Sequence, residues 1–123
     1  MTNKPVISST GLFTPQESIT NEELVESFNK YVERFNTTNA DAIAAGEIEP
    51  LEPSSVEFIE KASGIQARNV MSKAPILDPD IMAPRWEERP DEELSILAEI
   101  GVAAAREALE RAGRDPIDVD AVL

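Results

Sequence analysis

The chain has 123 residues, of which 41% are hydrophobic, and it contains neither Cys nor His. Its length allows one small domain or a piece of a larger one, and its composition excludes thiol nucleophiles, disulfides, imidazole general bases and ordinary zinc sites. The 24 acidic and 11 basic side chains leave a net charge of −13, which argues against nucleic-acid binding and against adhesion to anionic membranes, because both need a basic footprint.

Met1-Thr2-Asn3-Lys4-Pro5 has no apolar signal core, and no apolar run is long enough to span a bilayer. A cytoplasmic location is the default expectation. Pro5–Thr10 is short and β-branched and is closed by Gly11, a pattern that predicts a strand. Gly11–Pro15 reads as a loop leading to a helix start. Thr20-Asn21-Glu22-Glu23 fits a capping box, in which the Thr20 hydroxyl accepts from the Glu23 N–H and the Glu23 carboxylate reaches back to Thr20. Leu24, Val25, Phe28, Tyr31, Val32 and Phe35 follow at helical spacing and predict an amphipathic helix of about four turns.

Ala40–Gly46 predicts one or two helical turns ended by Gly46, and Glu47–Pro53, which carries Pro50 and Pro53, reads as irregular. Ser54 or Ser55 opens a short helix with Val56, Ile59 and Ala62 on one side and Gly64 at its C-terminal left-handed position. Ile65–Met71 reads as a short extended segment. Ser72–Pro90 holds four prolines and reads as a long loop, of the kind that serves as a lid or tunnel wall. Asp91–Ala112 predicts a helix, with Asp91, Glu92 and Glu93 at the positive end of its dipole. Leu94, Leu97, Ala98, Gly101, Ala105, Ala108 and Ala112 form its stripe, which becomes small toward Gly113 and permits close approach. Asp115-Pro116 makes a turn, and Val119–Leu123 begins an apolar strand.

Strands and helices in this order indicate an α/β fold. Two strands cannot cover the apolar faces of these helices, so the chain is expected to be the N-terminal part of a longer polypeptide.

No carboxylate pair stands out as an acid–base couple. Asp78-Pro79-Asp80 lacks the Gly and distal Glu of a calcium loop, and Ser63-Gly64-Ile65 lacks the glycine run and Lys of a phosphate loop. No metal site is therefore expected. Arg68 and Lys73 are expected to pair with nearby acids, and Trp86 to serve as a local anchor.

Three blocks of the chain, in order, resemble a known family. "PVISSTGLFTPQESITNEEL" resembles the opening of β-ketoacyl-acyl-carrier-protein synthase III, with its short strand, Gly turn, Pro and Thr-Asn helix start. "FIEKASGIQAR" resembles that family's aromatic-Ile…Ser-Gly-Ile-x-x-Arg motif, and "LAEIGVAAAREALERAGRDPIDVDAVL" its Ala-rich helix, Ala-Gly turn, Ile-Asp and strand. The stretches before Ser63 and after Ser72 are longer than in short members, as in a subgroup handling medium or long acyl groups.

The resemblance implies a thiolase-like five-layer αβαβα fold, present here only in part, and a homodimer. It implies a decarboxylative Claisen condensation of acyl-CoA with malonyl acyl-carrier protein in fatty acid biosynthesis. Coenzyme A thioester enters as substrate, and no permanently bound cofactor is implied. The family's catalytic Cys, His and Asn would lie in the remainder of the enzyme, so no catalytic residue is assigned here. Near the tunnel mouth the family stacks the adenine of coenzyme A between a Trp and an Arg. Phe58 stands at the Trp position, Ala62 at the Arg position, and Ser54 replaces a nearby Thr, so Ser54 and Phe58 are the candidate substrate-binding residues. The acyl-carrier protein is acidic and this chain has no clear basic patch, so its docking is also expected downstream. Alternatives are a non-catalytic acidic partner of a thiolase-fold enzyme, a related condensing enzyme of head-to-head hydrocarbon or hydroxymethylglutaryl type, and a carboxylate-only hydrolase.

Overall fold

Thr20 begins the longest helix, α1 (Asn21–Thr38), and both halves of the capping box form: the Thr20 hydroxyl accepts from Glu23 N at 3.2 Å, and Glu23 Oε2 accepts from Thr20 N at 3.0 Å. Glu23 also accepts from Lys73 Nζ at 2.8 Å. The Lys73 ammonium and then the Thr20 N–H hold the Glu23 carboxyl below its ordinary value of 4.5. The six apolar positions of α1 are all buried or half-buried, with Val32 only 4% exposed. The helix runs 18 residues, a turn longer than its apolar spacing predicts, because Asn39 caps it by donating through Nδ2 to Phe35 O at 2.8 Å.

The computed structural model describes residues 4–123, so Met1–Asn3 lie outside the described residues. Two compact units are present, residues 15–86 in one and residues 4–14 with 87–123 in the other. Helices and a small sheet together make the chain a mixed α/β structure.

In the first of these units, β1 (Glu17–Thr20) leads into α1 and pairs antiparallel with β2 (Ala67–Val70), with Ile19 opposite Arg68. Ile19 is fully buried, and so is Asn21 at the start of α1, which donates through Nδ2 to Ile65 O at 2.6 Å. The short helices α2 (Ala40–Ala44) and α3 (Val56–Ser63) fall where the capping signals place them. Ser55 accepts from Phe58 N at the head of α3, and Gly64 closes it at φ +69°, a left-handed conformation that glycine adopts without strain.

Ser72–Pro90 is not loop throughout. A one-turn helix, α4 (Ala74–Leu77), docks against α1, where Ser27 Oγ donates to Leu77 O at 2.7 Å. Pro75 sits in the first turn, where its missing N–H costs nothing.

In the other unit the longest element is α5 (Ile96–Ala112). It starts five residues later than expected. Ser95, not the acidic run, is its N-cap, accepting from Ala98 N at 3.2 Å. The half-covered positions are Ile96, Ala98, Ile100, Ala103, Ala104, Glu107, Ala108, Leu109 and Ala112, whereas Leu97 is 82% exposed. The covered face is thus rotated from the expected stripe, because residues 4–14 lie along the Ala104–Arg111 side. Ser9 Oγ donates to Ala108 O at 2.6 Å, Leu12 N to Glu107 Oε2 at 3.1 Å, and Arg111 Nη1 to Thr10 O at 3.2 Å.

Neither expected strand of this unit forms. Pro5–Thr10 has no regular structure and is held by α5 rather than by a ladder, and Val119–Leu123 is exposed after a turn of 3-10 helix at Pro116–Asp118. β-branched residues favour a strand only when a partner edge is beside them, and among the described residues neither segment has one.

Candidate functional site

Ser54 and Phe58 come together. They straddle the N-cap of α3, four residues apart, and with Phe28 of α1, Glu52, Pro53 and Ser55 they line a hollow of about 550 Å³. Phe58 is 67% exposed, so much of its ring is open to solvent. Such an open aromatic ring suits stacking against a flat ligand. Ala62, one turn further along α3, is also exposed and offers no guanidinium to complete a sandwich.

Ser54 and Phe28 also line an adjacent apolar hollow of about 260 Å³ with Leu24, Val25, Ile59 and Met82. Met82 has φ +46°, the sole positive value outside glycine among the described residues. Its N–H donates to Asp78 O at 2.9 Å, a turn that places this side chain at the hollow.

The position of Ser54 is set by residues that sequence reasoning passed over. Asn29 of α1 donates through Nδ2 to Ser54 O at 3.0 Å and accepts through Oδ1 from Ser54 N at 2.9 Å. Asn36, two helical turns on, repeats the arrangement with Leu51: Nδ2 to Leu51 O at 2.9 Å, and Leu51 N to Oδ1 at 2.9 Å. A side-chain amide has the same donor and acceptor as a peptide unit, so the two Asn act on this segment as a neighbouring strand would. The available signal was two Asn seven residues apart on a helix that is followed by a proline-punctuated run.

The other candidates resolve into structure. Asp78 Oδ1 accepts from Asp80 N at 2.8 Å, and Asp80 pairs with Arg34 at 2.6 Å, while Arg34 also donates to Pro79 O at 2.8 Å. Lys73 pairs with Glu23, as described above. Among the described residues Arg68 makes no ion pair, and its Nη1 is buried without a hydrogen-bond partner, as is Asn21 Oδ1. Trp86 is 53% exposed and walls a separate 240 Å³ hollow with Pro15, Ile76 and Pro84. No group of three or more His, Cys, Asp or Glu gathers among the described residues to hold a metal ion.

Chemically, the Ser54–Phe58 hollow can bind, and its single ionisable group is the Glu52 carboxylate, with no nucleophile beside it to activate. The Ser55 hydroxyl is engaged as a helix cap, and the chain contains no imidazole or thiol to activate a nucleophile. Nothing lining it is cationic, so it suits a stacking ring or an amide-rich arm better than a phosphate.

No protein-family model matches the chain. It is 57% identical over 99 residues to the β-ketodecanoyl-[acyl-carrier-protein] synthase of Pseudomonas aeruginosa. The chain is homologous to part of a β-ketoacyl-acyl-carrier-protein synthase. The match takes in 80% of this chain and 28% of that relative, so the chain spans little more than a quarter of the relative's length. This agrees with the resemblance carried by the three sequence blocks. No helix among the described residues is long and apolar enough to cross a membrane.

Proposed function

We propose that the chain is the segment of a β-ketoacyl-acyl-carrier-protein synthase III-like enzyme that forms the entrance for an acyl-CoA substrate. The observation that carries this reading is the 57% identity to a β-ketodecanoyl-[acyl-carrier-protein] synthase, joined to the exposed Phe58 ring over the Ser54 hollow. In this reading the fold of the whole enzyme is thiolase-like and its assembly a homodimer.

The reaction is an acyl transfer followed by a decarboxylative condensation. An acyl group passes from coenzyme A to a cysteine thiolate in the remainder of the enzyme, with coenzyme A leaving as its thiolate. Malonyl acyl-carrier protein loses carbon dioxide, and the resulting carbanion attacks the carbonyl of the enzyme thioester, expelling the cysteine thiolate to give β-ketoacyl-acyl-carrier protein. The residues described here would take no part in bond making. Phe58 would stack one face of the adenine. Ser54, whose backbone is fixed by Asn29, would flank the pantetheine arm, and Phe28 would close the floor. The cations that meet the coenzyme A phosphates would come from elsewhere, since the hollow has none.

The test is a reconstitution. The full-length protein, given a radiolabelled acyl-CoA and malonyl acyl-carrier protein, is expected to release carbon dioxide and to place the label in β-ketoacyl-acyl-carrier protein. Label that stays in acyl-CoA across medium and long chain lengths would remove the assignment.

A further inference from the structure

We infer that Asn29 and Asn36 are positioning residues that set the entrance geometry, an inference that rests on the substrate reading proposed above. The segment they hold has little else to hold it. Between residues 50 and 54, Pro50 and Pro53 have no N–H, so Leu51, Glu52 and Ser54 are the available donors. Two of these three donate to the Asn side chains, and the carbonyls of the same two residues accept from them. Four hydrogen bonds from one helix therefore fix an irregular run that belongs to no helix or sheet.

The run ends at Ser54, one residue before the N-cap of α3, so its position along α1 determines where α3 begins. Phe58 lies in the first turn of α3. A shift of Ser54 by one ångström would carry the ring with it and misplace a stacked ligand. Such misplacement weakens binding without touching the reacting atoms, which are not in this chain. The effect should therefore fall on KM and leave kcat alone.

The experiment compares Asn29→Leu, Asn36→Leu, Phe58→Ala and the double variant Asn29→Leu/Phe58→Ala in the full-length protein, reading KM for acyl-CoA and kcat separately. The expected result is a KM raised about tenfold by Phe58→Ala and about fivefold by each Asn variant, with kcat within about twofold. The double variant should be no worse than Phe58→Ala, because Asn29 acts through the ring it positions. If Phe58→Ala raises KM while the Asn variants leave it unchanged, or if they lower kcat in step, the positioning role is overturned and the entrance assignment stands. If Phe58→Ala also leaves KM unchanged, both fall together. Should the Leu variants not fold, Asn29→Asp serves in their place. It keeps the shape and the acceptor for Ser54 N but sets a carboxylate against Ser54 O, and the same KM rise is expected; an unchanged KM overturns the role.

Discussion

Gly11→Ala should detach residues 4–14 from α5. A methyl group on Gly11 would overlap the carbonyl oxygen of Ala104 and lie 2.7 Å from the backbone nitrogen of Ala108. Both are backbone atoms in the middle of a helix, so neither can swing aside as a side-chain end would. Gly11 is needed for close approach rather than for its backbone angles. Its neighbours Ser9, Thr10 and Leu12 make the hydrogen bonds to Ala108, Arg111 and Glu107 that hold the segment to α5. Pushing Gly11 outward strains all three at once. Overpacking of this kind costs about 1–3 kcal/mol or more, and the lost hydrogen bonds add to it. Amide hydrogen exchange in the full-length protein, read on the peptide covering residues 4–14, should accelerate about 100-fold. Unchanged protection there would show that α5 yields at Ala104 and that the contact is soft.

The second large effect is expected at Ile19. It is the sole large apolar side chain among the described residues with no solvent exposure. It sits on β1 opposite Arg68 and two residues before the first residue of α1. Ile19→Ala removes three buried carbons and leaves a cavity beneath the two-stranded ribbon. Changes of this type cost about 2–5 kcal/mol, and Ile19→Val about 0.5–1.5 kcal/mol. Exchange protection in β1, β2 and the first turns of α1 should fall in that order, with the Val variant between wild type and Ala. Equal protection in all three proteins would mean that the ribbon opens independently of the Ile19 contact.

What could be read from the sequence was local. The Thr20-x-x-Glu23 box, Ser55, Gly64 and Gly113 are terminus signals whose partners lie within a few residues, and the structure has helix ends at each. The strands depended on distant partners: the extended reading of Ile65–Met71 holds, since β2 lies within it, but the others were misread in both directions. Pro5–Thr10 has strand composition but no adjacent edge. Glu17–Thr20 has one apolar residue in four and still forms β1, because Ala67–Val70, about fifty residues away, supplies its ladder. At α5 three acids in a row drew the helix start to Asp91, although a Ser with a free N–H three residues ahead is the stronger cap.

The candidate site divides in the same way. Ser54 and Phe58 share a hollow because a helix start places residues four apart side by side. The contribution of Phe28 and the clamps from Asn29 and Asn36 come from a helix some twenty residues earlier. Helical spacing marks Phe28 as apolar stripe but not as part of a hollow, and the seven-residue spacing of Asn29 and Asn36, half-buried at the edge of that stripe, does not say which segment they hold. Nor did the chemistry follow from the residues. With no thiol and no imidazole in the chain, the reaction class rests on the resemblance and on the homologous synthase.

The most direct test of the account uses a coenzyme A thioester with a photoreactive azido group on its adenine. Bound to the full-length protein and irradiated, it is predicted to label the tryptic peptide Phe35–Lys61, which contains Ser54 and Phe58. Excess acyl-CoA should suppress that label. Label found only on other peptides, at a concentration where acyl-CoA still competes, would contradict the assignment of this surface as the thioester entrance.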